Sequence, residues 1–467
     1  MSKKNKHISR RKFLGQASCA AIGTSTLFSS LINLKALNAA AIDNSMLSSN
    51  YKAMVCLLLG GGNDSFNMLI PRGTSEYGQY AITRSNLAIP QNDILPISAL
   101  NPDGQLYGVH PSMTNMQSLF SGGNLAFITN IGTLIEPTSK AQFQSGVHPL
   151  PLGLFSHSDQ TQQWMTGRPH ERSAIGWGGR IADLVQSMNT NENISLNISL
   201  SGTNVFQQGN GTIEYTISSE GALGILGYEP DGWIYDQLRT EALDNMMGAA
   251  YQDIYKKTYV NTIKNSQLAT IEFNEAIENT SDLATEFSPS ELSQQFRMVA
   301  KTMQAREDLG FCRQIFFINF DGWDHHDELT LAQEAMLTEV DNALGEFNNA
   351  MTELGLQNDV TTFTVSDFGR TLTSNGNGTD HAWGGNVLVM GGDVNGGDIY
   401  GQYPSLELNN PLEVGGGVLI PTLSADQYFS ELGQWFGVSN SDLNTIFPNV
   451  ANFSDLDSGA PIGFMNI

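Results

Sequence analysis

Lys52-Ala-Met-Val-Cys-Leu-Leu-Leu59 is an apolar run halted by Gly60-Gly61-Gly62-Asn63-Asp64. Strict polar alternation is missing from it, so both faces of this segment are expected to be buried, as in a parallel strand. Residues 125–132 (Leu-Ala-Phe-Ile-Thr-Asn-Ile-Gly) repeat the pattern. So do 313–320, which end in Asp321-Gly322, 359–366, which end in Asp367, and 386–390, which end in Gly391-Gly392. Helical patterns lie between them. Met336, Val340, Leu344, Phe347, Met351 and Leu354 form one apolar stripe, with Gly355 placed to end the helix. Leu292, Phe296, Val299 and Met303 form a second. Residues 235–307 read as a helical insertion or cap, and 424–438 as a late helix. Residues 370–380 and 393–417, rich in Gly, Asn and Thr, read as surface loops. Strands alternating with helices predict an α/β fold, with a mostly parallel central sheet flanked by helices.

Composition narrows the function. Hydrophobic residues make up 40% of the 467, enough for a packed core. No stretch nears 18 consecutive apolar residues, which argues against a multi-pass membrane protein. Asp and Glu outnumber Lys and Arg by 47 to 23, a net charge of −24. Such a chain repels nucleic-acid phosphates. Cys19, Cys56 and Cys312 are too few for a disulfide framework or a four-cysteine zinc site.

The first forty residues read as an address. Lys3, Lys4, Lys6, Arg10, Arg11 and Lys12 precede a mildly apolar run to Leu34 and a small-residue stretch at 36–41. That is the layout of a secretory signal. Ser9-Arg10-Arg11-Lys12-Phe13-Leu14 resembles the twin-arginine export signal, which implies a bacterial protein that meets the twin-arginine translocase and ends in the periplasm or outside the cell. Residues 41–467 then form a single α/β domain.

Asp64, Asp321 and Asp367 each follow an apolar strand. Ligands of open parallel sheets bind beyond the carboxyl ends of the strands. Carboxylates gathered there repel one another unless a positive group lies between them, and a divalent cation serves. Histidines stand close by: His325 and His326 in Asp321-Gly-Trp-Asp-His-His-Asp327, and His381 in Asp380-His-Ala-Trp-Gly-Gly385. Mixed carboxylate and imidazole donors suit Zn²⁺ or Mn²⁺ better than Ca²⁺. Arg370 has the geometry to bind an anionic group. Ser156-His157-Ser158 opens a stretch that can be helical, where a hydroxyl gains from the helix N-terminus or simply caps it.

Taken together, Gly-Gly-Asn-Asp64, Phe-Asp321-x-x-x-His325, Ser-Asp367-Phe-Gly and His381-Ala-Trp-Gly-Gly resemble the alkaline phosphatase superfamily. That superfamily includes phosphatases, phosphoglycerate mutases, phosphodiesterases and sulfatases. With the export signal, Ser156-His-Ser-Asp-Gln160 and Gly176-Trp-Gly-Gly-Arg180, the chain resembles the bacterial DUF1501 family over nearly all its length after the signal. The resemblance implies an alkaline phosphatase-like fold and metal ligands at Asp64, Asp321, His325, Asp367 and His381. It also implies a serine nucleophile, with Ser156, Ser158 and the adjacent His157 as candidates. At position 368 the chain departs from the pattern, since Phe368 stands where a second metal would take a histidine. His326 and His157 are the histidines placed to make up the loss. The Cys/Ser-x-Pro-x-Arg sulfatase motif is absent. The expectation is a metal-dependent hydrolase of phosphate or sulfate esters, small and anionic. The alternative is a non-catalytic cell-surface binding or assembly protein on the same fold.

Overall fold

Strand β1 (Lys52–Gly60) lies within a nine-stranded sheet, and every residue from Ala53 to Gly60 is buried. The computed structural model describes residues 51–467, so the export signal lies outside the described residues. The other strands are β2 (Leu125–Gly132), β3 (Asn197–Ser199), β4 (Tyr215–Thr216), β5 (Arg313–Asp321), β6 (Val360–Ser366), β7 (Gly385–Met390), β8 (Ile399–Tyr400) and β9 (Leu423–Ser424). Their order is β8-β2-β7-β6-β1-β5-β3-β4, with β9 also beside β2. Pairings are parallel except those of β7, which runs antiparallel to β2 and β6. The expected α/β fold with a mostly parallel sheet is thus observed. The five long apolar runs of the sequence supply its long strands.

Register places the site. Gly60 lies opposite Asp321, and Leu59 lies opposite Ser366. Asp64, Asp321 and Asp367 therefore emerge at one sheet edge. Because β7 runs the other way, its beginning meets that same edge, which delivers His381, four residues before Gly385.

The helices follow the stripes. They include α1 (Thr74–Arg84), α2 (His157–Thr166), α3 (Trp177–Val185), α4 (Ile234–Gly248), α5 (Ile254–Glu278), α6 (Glu291–Gln304), α7 (Leu329–Glu353) and α8 (Ala425–Phe436). In α7 the buried residues include Val340, Leu344, Phe347 and Met351, and Gly355 ends it at φ +67°. Phe296 of α6 packs its ring 5.0 Å from that of Phe347. Trp177, Trp323 and Trp383, which flank the sequence motifs, are wholly buried core residues. Among the described residues no helix is long and apolar enough to cross a membrane.

Candidate metal centre

The turn after β1 sets the geometry. Gly61 has φ +115°, and a Cβ there would stand 2.6 Å from the Asp324 backbone nitrogen. Only glycine lets the two loops approach so closely. Gly60 then accepts hydrogen bonds from the backbone of Gly322 (3.1 Å) and Trp323 (2.9 Å). Trp323 is fully buried and fixes the parity of the segment that follows. Asp324 turns outward, His325 inward and His326 outward. A second pair of loops is stitched alongside: Gly369 N–H donates to the Trp383 carbonyl and Ala382 N–H to the Gly369 carbonyl, each at 2.9 Å. That ladder places Arg370 beside His381.

Three side chains converge there, with a fourth at their edge. His157, Asp324 and His381 each offer one donor atom within 4.8 Å of the others. His157 Nε2 and His381 Nε2 are 3.0 Å apart. His381 Nε2 is 3.4 Å from Asp324 Oδ1, and His157 Nε2 is 3.5 Å from Asp324 Oδ2. His326 Nε2 flanks the group, 3.0 Å from His381 Nε2 and 3.1 Å from Asp324 Oδ1. With bonds of about 2.0–2.1 Å, donor atoms around a tetrahedral Zn²⁺ stand about 3.3 Å apart. The spacings match.

Proton bookkeeping shows that a cation fits. His381 Nδ1 lies 2.7 Å from the Phe155 carbonyl, which can only accept, so that nitrogen carries the proton. His157 Nδ1 lies 2.7 Å from Asp367 Oδ2, with the same consequence. In the neutral rings both Nε2 atoms then present lone pairs to each other. Burial, together with the charges of His157 and Arg370, holds the His381 pKa down and opposes a doubly protonated ring. One proton on His381 Nε2 cannot satisfy both His157 and His326. A divalent ion shared by His157, His381 and Asp324 answers the facing lone pairs. The outer hydrogen bonds to Asp367 and Phe155 are those that orient metal-bound histidines. Phe155 itself sits at φ +71°, an uncommon conformation for a non-glycine residue.

The neighbours of Asp324 complete the electrostatics. Burial raises its pKa, but the hydrogen bond and charge of Arg370, with His326 and His157, outweigh that and hold it below the ordinary value. Arg370 is buried and committed: Nη1 donates to Asp324 Oδ1 at 2.9 Å, Nη2 to the Thr379 carbonyl at 2.6 Å, and Nε to Thr379 Oγ1 at 3.3 Å. Phe368 is buried with its ring 4.8 Å from His157 and 4.7 Å from His381, so it packs against both imidazoles. Beside the cluster opens a cleft of about 720 Å³, lined in part by His157, Ser158, Arg172, Asn204 and Asn319.

Of the residues proposed from sequence as ligands, His381 lies in the cluster and Asp367 adjoins it through His157. Three others stand apart from it. Asp321 is exposed at the end of β5, and its place is taken by Asp324. His325 is turned inward, where burial and the Arg370 charge hold its pKa down, and His326 stands at the cluster instead. Asp64 is 1% exposed and ion-paired to the fully buried Arg84, so a guanidinium answers its charge. His157, a catalytic candidate by sequence, contributes a donor atom. Ser156 is the N-cap of α2 and accepts from the Asp159 backbone, with Ser158 Oγ 3.2 Å away. Arg370, expected to face substrate, holds Asp324. The missed signal was parity: once Trp323 is buried, a two-residue period sends 324 and 326 to the opposite side.

The model of one protein family, described as "Protein of unknown function (DUF1501)", matches residues 51–416. The chain belongs to the DUF1501 family. No curated protein matches it. Among solved structures, this DUF1501 chain is similar to a sulfatase from Pseudoalteromonas sp., with 11% identity and a TM-score of 0.36, covering 87% of this chain and 72% of that one. It is also similar to the lipoteichoic acid synthase of Listeria monocytogenes (9%, TM-score 0.32, covering 87% and 76%). An alkaline phosphatase mutant gives 12% identity and a TM-score of 0.26, covering 69% and 64%.

Proposed function

We propose that this chain is an exported, metal-dependent hydrolase of small anionic phosphate or sulfate esters. The observation that carries it is the mutual approach of the His157 and His381 Nε2 atoms and Asp324, with His326 flanking them, beside an open cleft. Two imidazoles and one carboxylate suit Zn²⁺, with Mn²⁺ second. Such an ion, when bound, supplies Lewis acidity toward an ester oxygen and lowers the pKa of an attacking hydroxyl. The protein's own part is positional. Asp367 and the Phe155 carbonyl fix the tautomers of His157 and His381, and Arg370 holds Asp324 toward them. Ser158, in the first turn of α2, faces the cleft near the positive end of that helix. The motif resemblance supports the ester class, and the twin-arginine-like string supports export to the periplasm or beyond.

Metal analysis of the purified chain tests the reading, followed by hydrolysis of aryl phosphates and aryl sulfates. About one divalent ion per chain is expected, lost in His157→Ala/His381→Ala together with any turnover. A chain that binds no divalent ion above background ends this reading. Metal retained without turnover on either ester series favours the binding or assembly protein, a reading that the engaged Ser156 and Arg370 side chains support.

A further inference from the structure

Helices α4 and α5 carry more apolar surface than their own packing uses. The inward side of α4 is formed by Thr240, Leu243 and Met247, yet only Thr240 is fully buried. A second stripe at i, i+3, i+7 and i+11 (Tyr235, Leu238, Ala242 and Met246) is exposed. In α5 no residue before Gln267 is buried, and Tyr255 (83% exposed) and Tyr259 (68%) are paired one turn apart in the open. Trp233, at the N-cap of α4, is 84% exposed. Of the twenty-one exposed large apolar side chains among the described residues, eleven fall between Leu223 and Leu268. Scattered surface apolar residues need no explanation, but this concentration marks a contact face.

Charge selects the occupant. On α4, Asp236, Glu241 and Asp244 outnumber the single Arg239. The first half of α5 carries Lys256, Lys257 and Lys264 and no acid before Glu272. These are half of the six lysines between residues 51 and 467. A two-fold axis would lay the acidic α4 of one copy against the basic α5 of another, and the reverse, so one patch complements itself. An anionic lipid surface would attract α5 but repel α4 beside it.

We propose that α4 and α5 form a self-association surface, through which two copies of this chain pack as a four-helix interface that includes the exposed stripe of α4 and Tyr255 and Tyr259 of α5. Sedimentation velocity of the purified full chain is expected to show a dimer with a Kd at or below about 10 µM. Tyr255→Asp/Tyr259→Asp should weaken it at least about tenfold with an unchanged melting temperature. Lys256→Glu/Lys257→Glu should weaken it similarly, and adding Glu241→Lys/Asp244→Lys should restore it. A chain monomeric to about 100 µM overturns the proposal. A monomer that co-sediments with phosphatidylserine vesicles, and loses this in the tyrosine variant, overturns it in favour of a lipid surface. Failure of the charge reversal to recover would refute the reciprocal pairing of α4 with α5 about a two-fold axis.

Discussion

Asp64 and Asp324 are carboxylates at the same sheet edge, and the protein neutralises them in opposite ways. Asp64 is sealed in the interior at 1% exposure against Arg84, itself wholly buried. Arg84 also donates to the Thr371 and Leu372 carbonyls, so both ions sit in a dry, hydrogen-bonded pair. Asp324 keeps 43% of its side chain exposed and faces one buried guanidinium and three imidazoles. A guanidinium is permanently charged and fills its place without help. Imidazoles bring lone pairs as well, which a guanidinium cannot, so their site can take a cation beside the Arg370 charge. Position at a strand end therefore gathers acids but does not decide which of them meets histidines. The neighbouring loops and helices decide it, by the groups they bring.

The largest expected effect comes from breaking the closed pair. Arg84→Met leaves Asp64 buried and unpaired, which should cost about 3–5 kcal/mol of folding stability. Asp64→Leu/Arg84→Met should recover most of that loss, because two apolar groups replace two ions. Urea denaturation of the three proteins measures both values. A loss below about 1 kcal/mol for Arg84→Met would mean that the pair is hydrated, and the contrast with Asp324 would collapse.

A smaller effect should mark the open site. Asp367→Asn weakens the acceptor that orients His157 through Nδ1. Removing such outer-shell support typically weakens metal affinity about 10–100-fold. Asp64→Asn should leave affinity within about twofold, because Asp64 is paired to Arg84 and is not among the clustered donors. Competition of each variant with a chromophoric chelator reads both numbers. Equal losses for the two would show that Asp64 and Asp324 belong to one electrostatic unit after all.

The strands were the easiest feature to read because burial on both faces writes itself as apolar runs. The strand ends followed, and with them one sheet edge for Asp64, Asp321 and Asp367. The clustered donor atoms were harder. Asp-x-x-x-His spacing chose Asp321 and His325, but the chain leaves strand geometry at Gly322, where φ is +107°. After that turn, the burial of Trp323 rather than distance from the strand determines which side chains reach the site. The His157–His381 approach joins segments 224 residues apart and left no local trace. Arg370 was recognisable as an anion-binding group, but its anion proved to be Asp324.

The smallest effect separates the two serines of α2. Ser156 closes the helix by accepting from the Asp159 backbone, so Ser156→Ala should cost about 1 kcal/mol, the usual loss of an N-cap. Ser158 lies in the first turn and lines the cleft, and makes no cap bond; Ser158→Ala should cost under about 0.5 kcal/mol. The two substitutions thus divide scaffold from chemistry. If a hydroxyl attacks the ester, Ser158→Ala abolishes turnover while metal content and melting temperature stay put, and Ser156→Ala slows it only as far as His157, the next residue, is displaced. Turnover that survives Ser158→Ala but disappears in Ser156→Ala would assign the attack to the capping hydroxyl. Survival in the double variant would remove the serines from the chemistry and leave an activated water as the attacking group.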